Sequence, residues 1–210
     1  MRFEKGHKEQ TRRRIIETAS HKFRKDGVAA TGIAGLMADA GLTHGGFYAH
    51  FASKEELVRA ALEEALSQNY ASRQEVLDQA QGADSLEALV RFYLRPAHRD
   101  TPERGCAAAA LVSEIARHEP ETRAAFTTRL RRLLDQIASL LPPEMNAEAR
   151  DSLAIGLFGT LLGCLQMARA VNDPALSTQI LESGEQAALN LARTWSAERR
   201  GGGISNKSLI

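Results

Sequence analysis

The sequence predicts an all-α protein: an N-terminal three-helix unit built around a helix-turn-helix, then a larger helical bundle, about nine helices in all. Three observations carry this expectation. Ala and Leu dominate the 43% of residues that are hydrophobic, and runs of β-branched residues are nearly absent, which suits helix and not sheet. Apolar residues recur three and four positions apart through most of the chain. Gly, Pro, Ser and Thr punctuate those stretches where helices start and stop.

The first helix is expected from about Lys8 to Lys25, with Ile15, Ile16, Ala19 and Phe23 as its apolar stripe and Gly27 as its stop. Arg12, Arg13 and Arg14 cluster near its start, placed to reach phosphates or to form a solvated charged face. The second runs from Thr31 to about Asp39. Thr31 is its candidate cap, Ile33, Leu36, Met37 and Ala40 give it one apolar face, and Gly41 stands where a positive φ ends a helix. Thr43 is the candidate cap of a third, very short helix that reaches about Ala49. Gly45 and Gly46 each weaken it by ~1 kcal/mol relative to Ala, so Phe47, Phe51 and the ring of Tyr48 must hold it by packing. Two short helices around a Gly-containing turn form a helix-turn-helix, with the second free to enter a major groove. The glycine pair suits a backbone that presses close to DNA, and suits a plain surface loop equally. Ser53-Lys54-Glu55-Glu56 is a capping box that opens a fourth helix. This helix passes through Leu57, Ala61, Leu62 and Ala65 toward Tyr70 or beyond, long enough to connect the N-terminal unit to the body.

The body is expected to begin in the polar stretch 79–85, where Gly82 breaks the pattern. Asp84 or Ser85 caps a fifth helix with Leu86, Leu89, Val90 and Tyr93 inward, and Pro96 bends or ends it. Thr101-Pro102-Glu103 supplies a cap, a Pro at the first helical position and an early acid for a sixth helix, through Cys106, Ala110, Leu111 and Ile115 to His118. Pro120 opens the seventh, with Phe126, Leu130, Leu133, Leu134, Ile137 and Leu140 inward, and Pro142-Pro143 closes it. The eighth spans about 147–171 and the ninth about 175–198. The tail, 200–210, has nothing to fold around and is expected to be disordered. The eighth helix is apolar nearly all round and must be buried on more than one side, with Gly156, Gly159 and Gly163 permitting close approach. The ninth carries Leu176, Ile180, Gly184, Ala187, Leu191 and Trp195. These two helices either complete one intramolecular core or pair with their copies in a second subunit.

The net charge of +1 hides an asymmetry. Residues 1–54 hold ten Lys or Arg and five Asp or Glu, a net of +5; the remaining residues hold seventeen and twenty-one, a net of −4. A basic head on a mildly acidic body suits a polyanion-binding head, whereas a near-zero total does not suit sequence-independent DNA packing. No apolar run approaches the ~18 residues of a membrane span, and the basic start MRFEKGHKEQTRRR leads into no apolar core, so it is not a secretion signal. Two cysteines, Cys106 and Cys164, make no disulfide framework, and a cytoplasmic location is expected.

The stretch AGLTHGGFYAHFASKEEL closely resembles the signature of the TetR family of bacterial transcriptional regulators. It keeps Ala40, Gly41, Tyr48, His50, Phe51, Lys54, Glu55 and Leu57, and departs at Gly46 and Phe47, positions of fine packing and base contact. The resemblance covers roughly residues 8–68, which it implies are a DNA-binding domain with its helix-turn-helix at about 31–50. Residues 80–199 are then an effector-binding and dimerisation domain. It also implies a homodimer on a pseudo-palindromic double-stranded operator, joined through a four-helix interface with Gly156, Gly159, Gly163, Ile180, Gly184 and Leu191 at the contact. Thr43, His44, Gly45, Gly46 and Tyr48 would face the groove, while Thr31, Tyr48, His50 and Lys54 would hold phosphates. With two glycines in the reading segment, part of the specificity would come from DNA shape.

The function expected is that of a ligand-responsive regulator, most readily a repressor released by a small molecule. Leu66, Tyr70, Phe92, Tyr93, Cys106, Glu114 and Phe126 are the candidate effector contacts and suggest a largely apolar ligand. Cys106 follows Arg104 and Gly105 in what reads as a first helical turn, where a thiolate is favoured, so a thiol-based sensor of electrophiles or oxidants is the alternative. A small buried hydrophobe is the plainer reading of that residue, and a helical thiol enzyme is a rival that leaves residues 31–57 unexplained. Cys164 reads as packing, and His98 and His118 as solvated histidines near helix ends. No metal-ligand spacing, phosphate-binding glycine loop or Ser-His-Asp order stands out, so neither metal, cofactor nor enzymatic activity is expected.

Overall fold

The structure is a computed structural model. It describes residues 2–80 and 85–198, and the side chains of residues 6–80 and 85–194. The protein is all-α. The elements are α1 (Arg2–Asp26), α2 (Ile33–Asp39), a 3-10 segment His44–Ala49, α3 (Lys54–Gln79), α4 (Ser85–Leu94), α5 (Pro96–Asp100), a 3-10 turn Pro102–Arg104, α6 (Ala107–Ile115), α7 (Pro120–Ala138), α8 (Ala147–Ala170) and α9 (Pro174–Glu198). The expected tail at 200–210, the helix-breaking Gly82 and the side chain of Trp195 lie outside the described residues.

The apolar side chains gather into two cores. The first joins Ile15, Ala19 and Phe23 of α1, Leu36 and Met37 of α2, Phe47, Phe51, and Leu57 to Leu66 of α3. The second joins Leu89 and Tyr93 of α4, Leu133 and Ile137 of α7, Leu153 to Leu165 of α8, and Leu181 and Ala188 of α9. Helix α6 belongs to both. Its Ala107, Leu111 and Ile115 face the N-terminal core, and Ala108 and Ala109 face the bundle. Helix α3 has twenty-six residues, about 39 Å at 1.5 Å per residue. It therefore runs from the helix-turn-helix into the bundle.

Several caps follow the sequence and several do not. Gly41 has φ +68°. Its N–H donates to Ala38 and that of Leu42 to Met37, the paired bonds of a Schellman stop. Ser53 accepts from the Glu56 N–H, and Glu56 reaches back to accept from the Ala52 N–H. Thr31, in contrast, caps nothing: α2 starts one residue later on Gly32, and the Thr31 hydroxyl donates to the Gly27 carbonyl at 2.7 Å. Thr43 sits at the start of the 3-10 segment without a side-chain cap. Thr101 likewise turns back to the Ala97 carbonyl, so the expected sixth helix begins only at Ala107, behind the 3-10 turn.

Helix α8 corrects one expectation. By length and composition it is apolar enough to cross a membrane, with mean hydropathy 1.5 over an 18-residue window. Gly, Thr and Gln interrupt the apolar pattern without adding charge, which is why no long apolar run stands out by eye. It packs as a core helix against α7 and α9. Gly184 of α9 is where those two helices close. A Cβ there would lie 2.7 Å from Cys164 and 3.1 Å from Leu94 of the same chain. Gly184 thus makes a close intramolecular contact, and Cys164 packs against it. Gly156 similarly meets Leu191 of its own chain, and Ile180 and Leu191 both pack on the bundle core. Gly159 and Gly163 face open space, on a surface that also exposes Ile155 and Met167.

Candidate nucleic-acid interface

The exposed face of the helix-turn-helix is built on the short segment 44–49. Phe47 is wholly buried, stacks on Phe51 with centroids 5.7 Å apart, and meets the Tyr48 ring edge-on at 5.2 Å. This packing holds a segment that two glycines would otherwise unwind, and it takes the tighter 3-10 form. With Phe47 inward, Thr43, His44 and Gly45 are exposed, and Tyr48 is 65% exposed. A Cβ on Gly45 would meet nothing within 4 Å, so the chain's own packing does not demand glycine there. Gly46 is half-buried, facing Thr43 and Met37.

The four expected phosphate contacts divide. Tyr48 is free to reach outward. The Lys54 ammonium donates to the Val28 carbonyl at 2.7 Å, which fixes the side chain and leaves two of its three donors. His50 is half-buried; burial first, then the charges of Lys8 and Arg12, lower its pKa and disfavour its charged form. Thr31 is corrected. It is 3% exposed with its proton committed to Gly27, and cannot reach a phosphate. The Arg12–Arg14 cluster also divides: Arg12 pairs with Glu56 at 3.4 Å and lies over the Phe51 ring, whereas Arg13 and Arg14 stay exposed on α1.

A cavity of about 740 Å³ opens between α3 and α7, within the range of small-molecule sites. Leu66, Tyr70 and Phe126, among the candidate effector contacts, line it together with Arg73, Leu130 and Leu133. Arg73 did carry a signal: it follows Leu62, Leu66 and Asn69 at helical spacing, a charge in register with an apolar stripe.

Phe92, Tyr93, Cys106 and Glu114 do not line this cavity. Phe92 lies under the Arg95 guanidinium, 3.7 Å from its ring centre. Tyr93 is buried, its hydroxyl beside the Cys106 thiol without a well-formed hydrogen bond. Cys106 is the residue before α6 and not in its first turn, and is 4% exposed. His98, expected to be solvated, is buried. Its Nδ1 pairs with the Tyr93 carbonyl at 2.6 Å and its Nε2 accepts the Cys106 N–H at 2.8 Å. Burial holds its pKa down to about 4, so the ring is neutral.

Glu114 has a different place. Its carboxylate accepts the N–H groups of Val28 and Ala29, both at 3.0 Å, and so ties α6 to the loop before α2. A second tie joins α3 to α7, where Glu55 accepts from the Thr122 hydroxyl at 2.6 Å and pairs with His118 at 2.8 Å. A third centres on the Gly105 carbonyl, which accepts from Arg24 of α1 and Asn69 of α3. Arg24 is buried with no ion pair among the described residues, and its donors end on oxygens of Ser20, Gly105 and Gln68. Each tie couples the N-terminal helical unit to the bundle.

The fold thus defines a helix-turn-helix protein whose N-terminal unit is buttressed by a helical body containing a cavity. Residues 15–61 match the family described as bacterial regulatory proteins, tetR family. The HTH-type transcriptional regulator TtgR of Pseudomonas putida is 47% identical over 55 residues, 26% of this chain and 26% of that protein. The uncharacterized HTH-type regulator YerO of Bacillus subtilis is 43% identical over 54 residues, 26% of this chain and 19% of that one. The match therefore spans about a quarter or less of these relatives' length. The fold likeness is wider. A TetR transcriptional regulator from Chloroflexus aurantiacus superposes with a TM-score of 0.74 at 25% identity, over 94% of this chain and 98% of that one. The reduced form of E. coli NemR superposes at 0.70 with 21% identity, over 87% and 97%. Residues 15–61 thus carry a TetR-type DNA-binding domain, and the chain as a whole has the fold of TetR transcriptional regulators.

Proposed function

We propose that this protein is a cytoplasmic, sequence-specific DNA-binding regulator, a repressor released from its operator by a small molecule. One observation supports this above the rest: a single helix, α3, carries Lys54 at the foot of the reading segment and Leu66, Tyr70 and Arg73 on the cavity wall. Residues 8–68 read DNA, and residues 80–199 bind the effector and dimerise. Thr43, His44, Gly45 and Tyr48 approach bases and phosphates, with further cations from Lys54, Arg13 and Arg14. Two copies pair through the face of α8 that bears Ile155, Gly159, Gly163 and Met167, and read a two-fold operator. A ligand that wedges α7 from α3 pulls on the Glu55 contacts with Thr122 and His118, and so turns the base of α3 and the reading segment on it. In the thiol-enzyme rival, the His98 lone pair would serve Cys106; here it accepts a backbone N–H instead.

Footprinting on the DNA upstream of the chain's own reading frame tests the proposal. The protein should protect one discrete site with two half-sites about one helical turn apart, and Tyr48→Ala should lose that protection with helix content unchanged. Uniform weak protection along the fragment would sink it.

A further inference from the structure

We infer that the cavity between α3 and α7 takes an organic anion, with an apolar body against Leu66, Phe126, Leu130 and Leu133 and an anionic head on the Arg73 guanidinium. This rests on the reading of that cavity as the effector site and adds the chemical class of its ligand.

Arg73 carries the inference. It lines the cavity and is only 6% exposed. Its Nε donates to Gln136 Oε1 at 2.9 Å, and Gln136 is held in turn by Gln74 at 3.2 Å. The chain of amides fixes the plane of the guanidinium, yet an amide oxygen supplies no charge. Among the described residues no carboxylate forms an ion pair with Arg73. A guanidinium withdrawn from water without a counter-charge is costly, and its remaining N–H groups form a fork that matches a carboxylate or sulfonate. The other charged side chains of the lining are more open to solvent: Asp78 and Asp135 are exposed, as is Arg132, and Arg129 is half-exposed. A cationic ligand would need a buried carboxylate, and no Asp or Glu of the lining is buried. The apolar wall excludes a small inorganic anion as the whole ligand, because it would leave Phe126 and the leucines facing water.

Two fluorescent probes that share an apolar body test this on the full chain. 8-Anilinonaphthalene-1-sulfonate carries the anion, and N-phenyl-1-naphthylamine lacks it. The sulfonate should bind the wild type ~10- to 100-fold more tightly, the worth of charge-assisted hydrogen bonds. Arg73→Met should abolish that preference and leave the neutral probe's affinity unchanged, with the same helix content by circular dichroism. Arg73→Lys should retain part of the preference, since it keeps the charge and loses the fork. Leu130→Trp, which fills the cavity, should weaken both probes. Equal affinity of the two probes for the wild type overturns the inference without needing any variant to fold, and so does an unchanged preference in Arg73→Met. If Leu130→Trp blocks two probes that bind equally, the cavity reading stands and only the anion falls. If Leu130→Trp binds both as the wild type does, the cavity reading falls as well.

Discussion

At the scale of single residues, what decides a role here is the partner, and most partners are remote in sequence. Gly41 and Ser53 were legible because their work is local: one needs a positive φ, the other a donor three residues on. Thr31 has the same credentials as a cap, but Gly32 takes that position and the hydroxyl turns to Gly27. Glu114 read as a pocket acid, yet it binds backbone some eighty-five residues away in sequence. Such pairings leave no trace in spacing. Removing this carboxylate strands two backbone donors, one of them, Val28, in a buried residue. Glu114→Ala should therefore cost ~1–3 kcal/mol in urea unfolding. Glu114→Gln, which keeps one acceptor oxygen, should cost less. Equal, near-zero losses for both would show that the contact does not hold the loop.

At the scale of elements, the helices themselves were foreseen because apolar spacing, proline and caps are sequence properties. Their junctions were not. The expected sixth helix loses its first turns because Thr101 bonds back to Ala97 and the Cys106 N–H goes to His98. The pairing of α3 with α7 hangs on Glu55, His118 and Thr122, and it has a pH signature. Burial raises the Glu55 pKa, but the hydrogen bonds from Thr122 and His118, with the charge on His118, outweigh it and hold the carboxyl below its ordinary range. A depressed folded-state pKa adds stability that is present above the unfolded value, ~4.3, and is lost as pH falls through the folded value. The wild type should thus lose more stability between neutral and strongly acidic pH than Glu55→Gln, read as the urea midpoint. Parallel pH profiles for the two proteins would mean that the α3–α7 tie is absent in solution.

At the scale of the whole molecule, two cores share α6, and α3 spans from DNA-reading unit to cavity wall. The resemblance in residues 40–57 was enough to anticipate the first core and the general shape of the second. It was silent on Arg73, whose buried charge, without an ion pair among the described residues, becomes evident only when α7 is laid against α3. Central to the proposed function is that the basic N-terminal unit reads a specific DNA sequence through residues 43–48. The most direct test is the dissociation constant for a labelled upstream duplex and for its scrambled counterpart, by fluorescence anisotropy across a salt series. The upstream duplex should bind at least ~10³-fold more tightly at physiological salt. Lys54→Ala should flatten log affinity against log salt by about two units for a dimer, at ~0.9 per phosphate, on both duplexes. His44→Ala should instead narrow the gap between the duplexes. Equal binding of the two duplexes by the wild type, or a salt slope untouched by Lys54→Ala, would contradict the account.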